Sequence, residues 1–202
     1  MNTNITTFIF DCFGVVCGPV LNAWYQEHSK KHDFIDENLS EVFRQFDLGL
    51  LSEEGIIDYF SKYRGVTPNK EHLRNEIDNY LKIDGNLVEI IKRLRQKGFK
   101  VVLLSNASNS FFERKVYTKY PEFKNLFSEI VISSVVGIVK PDPEIYLHTL
   151  NLVESKPEES LFIDDSKPNV DAAIALGING FVYTDYASFV NYLSMIKIDL
   201  GS

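Results

Sequence analysis

The chain has 202 residues, 45% of them hydrophobic, and carries 21 basic against 28 acidic side chains for a net charge of −7. That content supports one substantial core with room for a small accessory domain, and the acid excess argues against a surface for nucleic acid or anionic membranes, which draws on surplus Lys and Arg. No apolar stretch reaches the ~20 residues of a membrane span, Met1-Asn-Thr-Asn lacks the basic start of a secretion signal, and Cys12 and Cys17 are too few and too close for a disulfide framework, so a soluble cytoplasmic protein is expected.

The first element runs from Thr6 to Phe10, an apolar stretch that ends abruptly in Asp11 and is followed by Gly14. An uninterrupted run suits the interior of a parallel sheet, and its carboxyl tip is where open α/β sheets bind ligands. Asp11 is therefore a candidate nucleophile or metal ligand, although a strand-end aspartate also serves as a turn cap. Cys12 should point away from it by strand alternation, as a buried thiol.

From about Val16 to Asp84 no strand is expected, only amphipathic helices near 21–31, 37–46, 52–63 and 68–81. Ser52 with Glu53 and Glu54, and Thr67-Pro68 with Glu71, read as helix starts with acids at the positive end of the dipole. Trp24, Tyr25, Phe43, Phe46, Tyr59, Phe60 and Tyr63 form this segment's own small core, with a minority free to face a cleft.

Beyond residue 84, strands at 99–105, 129–133, 160–164 and 179–183 alternate with helices at 87–96, 108–120, 143–152 and 170–176, and a last helix covers 186–196. Alternation of this kind implies right-handed crossovers and a doubly wound parallel sheet. Its strand ends then gather Asp11, Ser105-Asn106 and Asp164-Asp165 on one edge, with Lys140 in a loop before a helix. Adjacent acids at an apolar strand end need cationic compensation, and Mg²⁺ suits such an oxygen-rich site. Ser105-Asn106 is also a good strand-to-helix cap. Asp142 and Glu144 suit the start of the following helix, and Asn169 and Asp171 either start a helix or brace the loop. His28, His32, His72 and His148 lack metal-ligand spacing.

The motifs starting at Asp11, around Ser105-Asn106, at Lys140-Pro141 and ending in Asp164-Asp165 resemble, in order and spacing, those of the haloacid dehalogenase superfamily. The resemblance implies a Rossmann-like α/β core from residues 1–15 and 85–202, an inserted helical cap over 16–84, and Mg²⁺-dependent hydrolysis of a small phosphate ester. Carried over by position, it makes Asp11 the nucleophile and a metal ligand beside the Phe13 carbonyl and Asp165, with Asp164 close by. Ser105 and the Asn106 backbone would bind phosphoryl oxygens, and Lys140 would neutralise charge between Asp11 and the phosphate.

Phe13 departs from the phosphatase pattern, which places a second aspartate there to protonate the leaving oxygen and then activate water. General acid–base help is worth about 10²–10⁴-fold, so slow turnover of alkyl phosphates is expected. An aromatic residue there also resembles the 2-haloacid dehalogenases, with Arg44 near the place of their cap arginine, but those need no metal and lack the acid pair. A metal- and phosphate-binding regulatory protein is the third reading, and the aromatic residues of the insert suit a monomer or a homodimer equally.

Overall fold

The computed structural model describes residues 4–200; Met1 to Thr3, part of the segment read for a secretion signal, lie outside it. Strands β1 (Thr7–Phe10), β2 (Lys100–Ser105), β3 (Glu129–Ile132), β4 (Ser160–Asp164) and β5 (Asn179–Val182) form a parallel sheet in the order β3-β2-β1-β4-β5. Phe10 is level with Leu103 on one side and Ile163 on the other. The order reverses beside β1, so its carboxyl end faces the crevice where such sheets bind ligands.

Side-chain alternation splits the core into two faces. Phe8, Phe10, Leu103 and Ile163 join one apolar cluster, and Ile9, Val102, Leu104 and Phe162 join the other. Both clusters are dry because β1 and β4 are buried along their whole length, which is why these strands read as unbroken apolar runs.

Between β1 and β2 lie α1 (Val20–His32), α2 (Leu39–Asp47), α3 (Glu53–Phe60), α4 (Lys70–Asp78) and α5 (Gly85–Gln96). The first four form the helical insert, which the chain enters and leaves through paired segments: Gly18 N donates to Lys82 O at 2.9 Å and Asp84 N to Val16 O at 3.0 Å. Ser52 caps α3 as expected, accepting from Gly55 N at 3.1 Å. Thr67-Pro68 does not start α4; Asn69 does, its own backbone extended and its carboxamide accepting from His72 N at 3.0 Å.

The stretch expected as one helix over 108–120 is α6 (Asn109–Phe111), a π-helical turn (Phe112–Val116) and α7 (Tyr117–Lys119). Where the π-helical turn begins, the consecutive rings of Phe111 and Phe112 both pack against Phe13, at 5.9 and 5.8 Å. Ser133, expected to end a strand, opens the short α8 (Ser133–Val136). The chain then runs through α9 (Pro143–Leu152), α10 (Lys167–Ala175) and α11 (Tyr186–Met195). Among the described residues no helix is long and apolar enough to cross a membrane.

The insert has an aromatic centre. Trp24, 1% exposed, packs on Phe60 at 4.9 Å and His28 at 5.0 Å, and its indole N–H donates to Glu76 Oε1 at 3.0 Å. Trp24→Ala is expected to lower stability by about 3–5 kcal/mol in chemical denaturation, the usual result of emptying a large buried site.

Candidate active site

The acids and Ser105-Asn106 sit at strand tips, and Lys140 reaches them from the loop before α9. The β1–β4 ladder runs one residue past β1, Asp11 N donating to Ile163 O at 2.8 Å, so the Asp11 side chain emerges beside Asp164, the last residue of β4. Asp165 follows. One carboxylate oxygen from each of the three acids lies within 4.8 Å of the others.

Gly14 makes that approach feasible. It has φ +106°, and a Cβ there would fall 2.2 Å from Asp165 Oδ2; any larger residue would be strained and would displace the carboxylate. The turn is closed by Gly14 N donating to Cys17 O and Cys17 N to Cys12 O, both at 2.7 Å. Cys12 and Cys17 are both free and buried, and burial pushes the Cys12 thiol up.

Lys140 is the counter-charge. Its ammonium, 4% exposed, donates to Asp11 Oδ1 and Asp164 Oδ2 at 2.6 Å each and to Leu104 O at 2.9 Å, which uses all three of its hydrogens. Burial alone would lower its pKa; Asp11 and Asp164 outweigh burial and hold it above its ordinary value. The Asn106 carboxamide fixes the lysine backbone at two points, accepting from Lys140 N at 2.8 Å and donating to Lys140 O at 2.9 Å. Asn169 donates to both Asp164 oxygens at 3.1 and 3.2 Å, and Ser166 N donates to Oδ1 at 2.8 Å. Asp164 is thus fully engaged with the protein.

Three carboxylates against one ammonium leave a formal charge of −2. The strain shows in the acids: burial pushes Asp11 up, Lys140 pulls it back, and Asp164 and Asp165 push it up again. Burial and then Asp164 raise Asp165 too. An all-oxygen donor set with this excess fits a hard divalent cation. At the same edge, the buried Ser105 hydroxyl has no hydrogen-bond partner among the described residues, so a donor is left over for a ligand.

Phe13, Asn106, Asp165 and Ser166 form the core side of a cavity of about 310 Å³ whose other wall is the insert, including Val20, Phe43, Phe46, Ile56 and Ile77. Its two arginines are already paired: Arg74 with Glu54, and Arg114 with Glu53 at 2.7 Å and with both oxygens of Asp78 at 2.6 and 3.0 Å. Arg44 is exposed and is not among the residues lining this cavity. Sequence reasoning missed the clamp role of the Asn106 side chain, Arg114, and the cavity position of Asp47; it weighed a brace at Asn169, and that is its role. Asp142 caps α9 as expected, accepting from Glu144 N at 3.0 Å.

The profile of the haloacid dehalogenase-like hydrolases matches residues 5–177, and the chain belongs to that family of hydrolases. It is 28% identical over 148 residues to the sesquiterpene phosphatase astK of Aspergillus oryzae, covering 72% of this chain and 74% of that protein. It is 25% identical over 179 residues to the pyrophosphatase PpaX of Bacillus cereus, covering 82% and 77%. Among solved structures, a HAD family enzyme from Bacteroides thetaiotaomicron superposes with TM-score 0.74 at 21% identity, over 92% of this chain and 98% of that one. The same enzyme in complex with magnesium and inorganic phosphate superposes at 0.68 with 21% identity, over 92% and 98%.

Replacing Lys140 by Met should destabilise the metal-free protein by about 3–5 kcal/mol at neutral pH in denaturant titrations, because two buried carboxylates lose their only ammonium. The deficit should fade as the pH falls toward about 4, where unfolded aspartates take up protons and the folded acids no longer need compensation.

Proposed function

We propose that this chain is a Mg²⁺-dependent phosphatase for a small phosphate monoester with an apolar organic group, working through an aspartyl-phosphate on Asp11. The observation that carries the reading is the meeting of Asp11, Asp165 and the Lys140–Asp164 pair, with Asp165 and the neighbouring Phe13 and Asn106 lining a largely apolar cavity.

Asp11 and Asp165, with the main-chain carbonyl of Phe13, would hold the metal, and Asp164 would stand behind them as the anchor of Lys140. When bound, Mg²⁺ supplies positive charge that offsets the repulsion between a carboxylate and a phosphate dianion. Lys140 favours the ionised form of Asp11, against the larger effect of burial, and orients it through a 2.6 Å contact. The unpartnered Ser105 hydroxyl and the Asn106 backbone N–H are the donors for the phosphoryl oxygens, whose charge grows during transfer. Asp11 attacks phosphorus, the ester oxygen leaves, and water then cleaves the acyl-phosphate to return Asp11 and inorganic phosphate. The helical insert acts as the cap whose inner wall excludes bulk water and selects the organic group.

The apolar walls favour a hydrocarbon-like substituent, in keeping with the sesquiterpene phosphatase among the relatives. A pyrophosphate substrate like that of PpaX would call for uncommitted cations, whereas Arg74 and Arg114 already face acids of the insert. Two free, buried cysteines suit a reducing cytoplasm.

Phe13 favours a second reading, the metal-independent dehalogenase, and one of the superposable structures is a dehalogenase with TM-score 0.63 and 17% identity. Assays against hexyl phosphate, 4-nitrophenyl phosphate and 2-chloropropionate decide between them. Phosphate release that stops with EDTA and returns with Mg²⁺, and is abolished in Asp11→Asn, is expected; chloride release without metal would replace this reading with the dehalogenase, and neither product would leave a binding protein. Gly14→Ala is expected to weaken Mg²⁺ binding about 10–100-fold in calorimetry, the range seen when the support of a metal ligand is disturbed.

A further inference from the structure

With Phe13 in place of the usual acid, the phosphatase reading lacks a group to protonate the leaving oxygen. We infer that Asp47, at the end of α2 in the helical insert, is that catalytic acid and base, acting from the wall of the cavity that Phe13, Asn106 and Asp165 also line. The inference rests on the phosphatase reading above.

Asp47 lines the same cavity as Phe13, Asn106 and Asp165, but from the opposite wall. Its backbone is pinned to the core: the Ser133 hydroxyl reaches Asp47 O at 2.5 Å and accepts from Ala107 N at 2.9 Å, in the loop that follows Asn106. Gly49, at φ +75°, closes α2 against Ser134, where an added Cβ would come within 3.1 Å of the serine side chain. One buried serine thus sets the distance between the end of α2 and the phosphate-binding loop.

The carboxyl itself is uncommitted. Although part of the residue is solvent-accessible, Asp47 lines the apolar-walled cavity, and burial pushes its pKa up to about 7 against the opposing charge of Lys140. As the last residue of α2 it also sits at the negative end of the helix dipole, where an ionised acid gains nothing. The other charged groups on the cavity wall are Glu53 from α3, Arg74 and Asp78 from α4, Arg114 from the π-helical turn and Asp165 after β4. Both arginines are held by acids other than Asp47. An acid at a helix C-terminus in an apolar wall, with no partner of its own, is poorly explained by stability.

The step balances. Protonated Asp47 gives its proton to the ester oxygen as the bond from that oxygen to phosphorus breaks and the bond from Asp11 to phosphorus forms. The resulting Asp47 carboxylate takes a proton from the water that attacks the acyl-phosphate, which restores both aspartates and yields alcohol and inorganic phosphate.

First-turnover kinetics of the Mg²⁺-loaded enzyme test this, using hexyl phosphate, whose leaving group needs a proton, and 4-nitrophenyl phosphate, whose leaving group does not. In Asp47→Asn the first turnover of hexyl phosphate should slow about 10²–10⁴-fold. Nitrophenolate should still appear in a near-wild-type burst of one equivalent, followed by slow steady turnover as the acyl-phosphate waits for a base. The wild-type rate on hexyl phosphate should fall above pH about 7, Asp47→Glu should keep such a limb, and Asp47→Asn should lose it. Equal slowing of both first turnovers, or slowing of neither, would overturn the assignment while leaving the phosphatase reading standing. Wild-type enzyme inert on both esters with Mg²⁺ present would remove the phosphatase reading and this inference with it.

Discussion

One buried ammonium holds the site together. Lys140 Nζ touches Asp11 after β1, Asp164 at the end of β4 and the carbonyl of Leu104 in β2, so a single group ties the tips of three adjacent strands. A lysine this deep is tolerable only with opposite charge in contact, and the two acids are tolerable only because the lysine is there. The arrangement depends on the strand order, since β2 and β4 must flank β1 for three tips to fall within reach of one side chain. Asn106 and Asn169 add rigidity without charge: one clamps the backbone of the cation, the other grips the anion behind it. Asp165 alone of the three acids is exposed, and Asp11 offers its second oxygen beside it. Asp164 is thereby the acid wholly committed to holding the strand tips together.

The helical insert completes the site by another kind of contact. Its two connections to the core run side by side through Gly18 and Lys82, a narrow waist beneath a broad apolar wall. Arg114 from the core pairs with Glu53 and Asp78 of the insert, which places a strong ion cluster at the cavity margin and leaves the interior to Phe13, Phe46, Ile56 and Ile77. Lys140, Asp11 and Asp164 are themselves buried beneath it, so their contacts act in a lower effective dielectric than water. The apolar wall shapes the electrostatics as well as the fit of an organic group.

Much of this was legible in the sequence, for identifiable reasons. The strands showed because burial on both faces writes itself as apolar runs, and the meeting of Asp11 with Asp164 followed from parallel strands sharing one edge, whereas Lys140 reaches them from a loop to which the family resemblance pointed. The break in the helix at Phe112–Val116 was hidden, because one extra residue per turn leaves the apolar spacing nearly unchanged over so short a stretch. Asn69 was passed over in favour of Thr67-Pro68, since both carry start signals and only the backbone path chooses between them. The amides of Asn106 and Asn169 are equally suited to capping and to bracing. Their partners are set by the packing of Lys140 and Asp164, far away in sequence. Asp47 lies just past the helix expected over 37–46 and carries no signal of its own in the sequence; only the folded cavity shows what it lines.

Phe13 and Asp47 are linked by an electrostatic argument. A carboxyl two residues after the nucleophile would share its turn with the metal site, where a dication favours the ionised form and works against holding a proton near neutrality. A phenyl ring there, packed on Phe111 and Phe112, removes that conflict and keeps the floor of the cavity dry. Moving the acid to α2 puts it across an apolar gap from the strand tips, where desolvation and a helix C-terminus both favour the protonated state. On the proposal made above, the proton donor would belong to the insert and the nucleophile to the core, with the Ser133 hydroxyl joining the two. Proton transfer in such a site would require the two parts to be seated together, so departure of the leaving group would be coupled to the seating of the insert on the core.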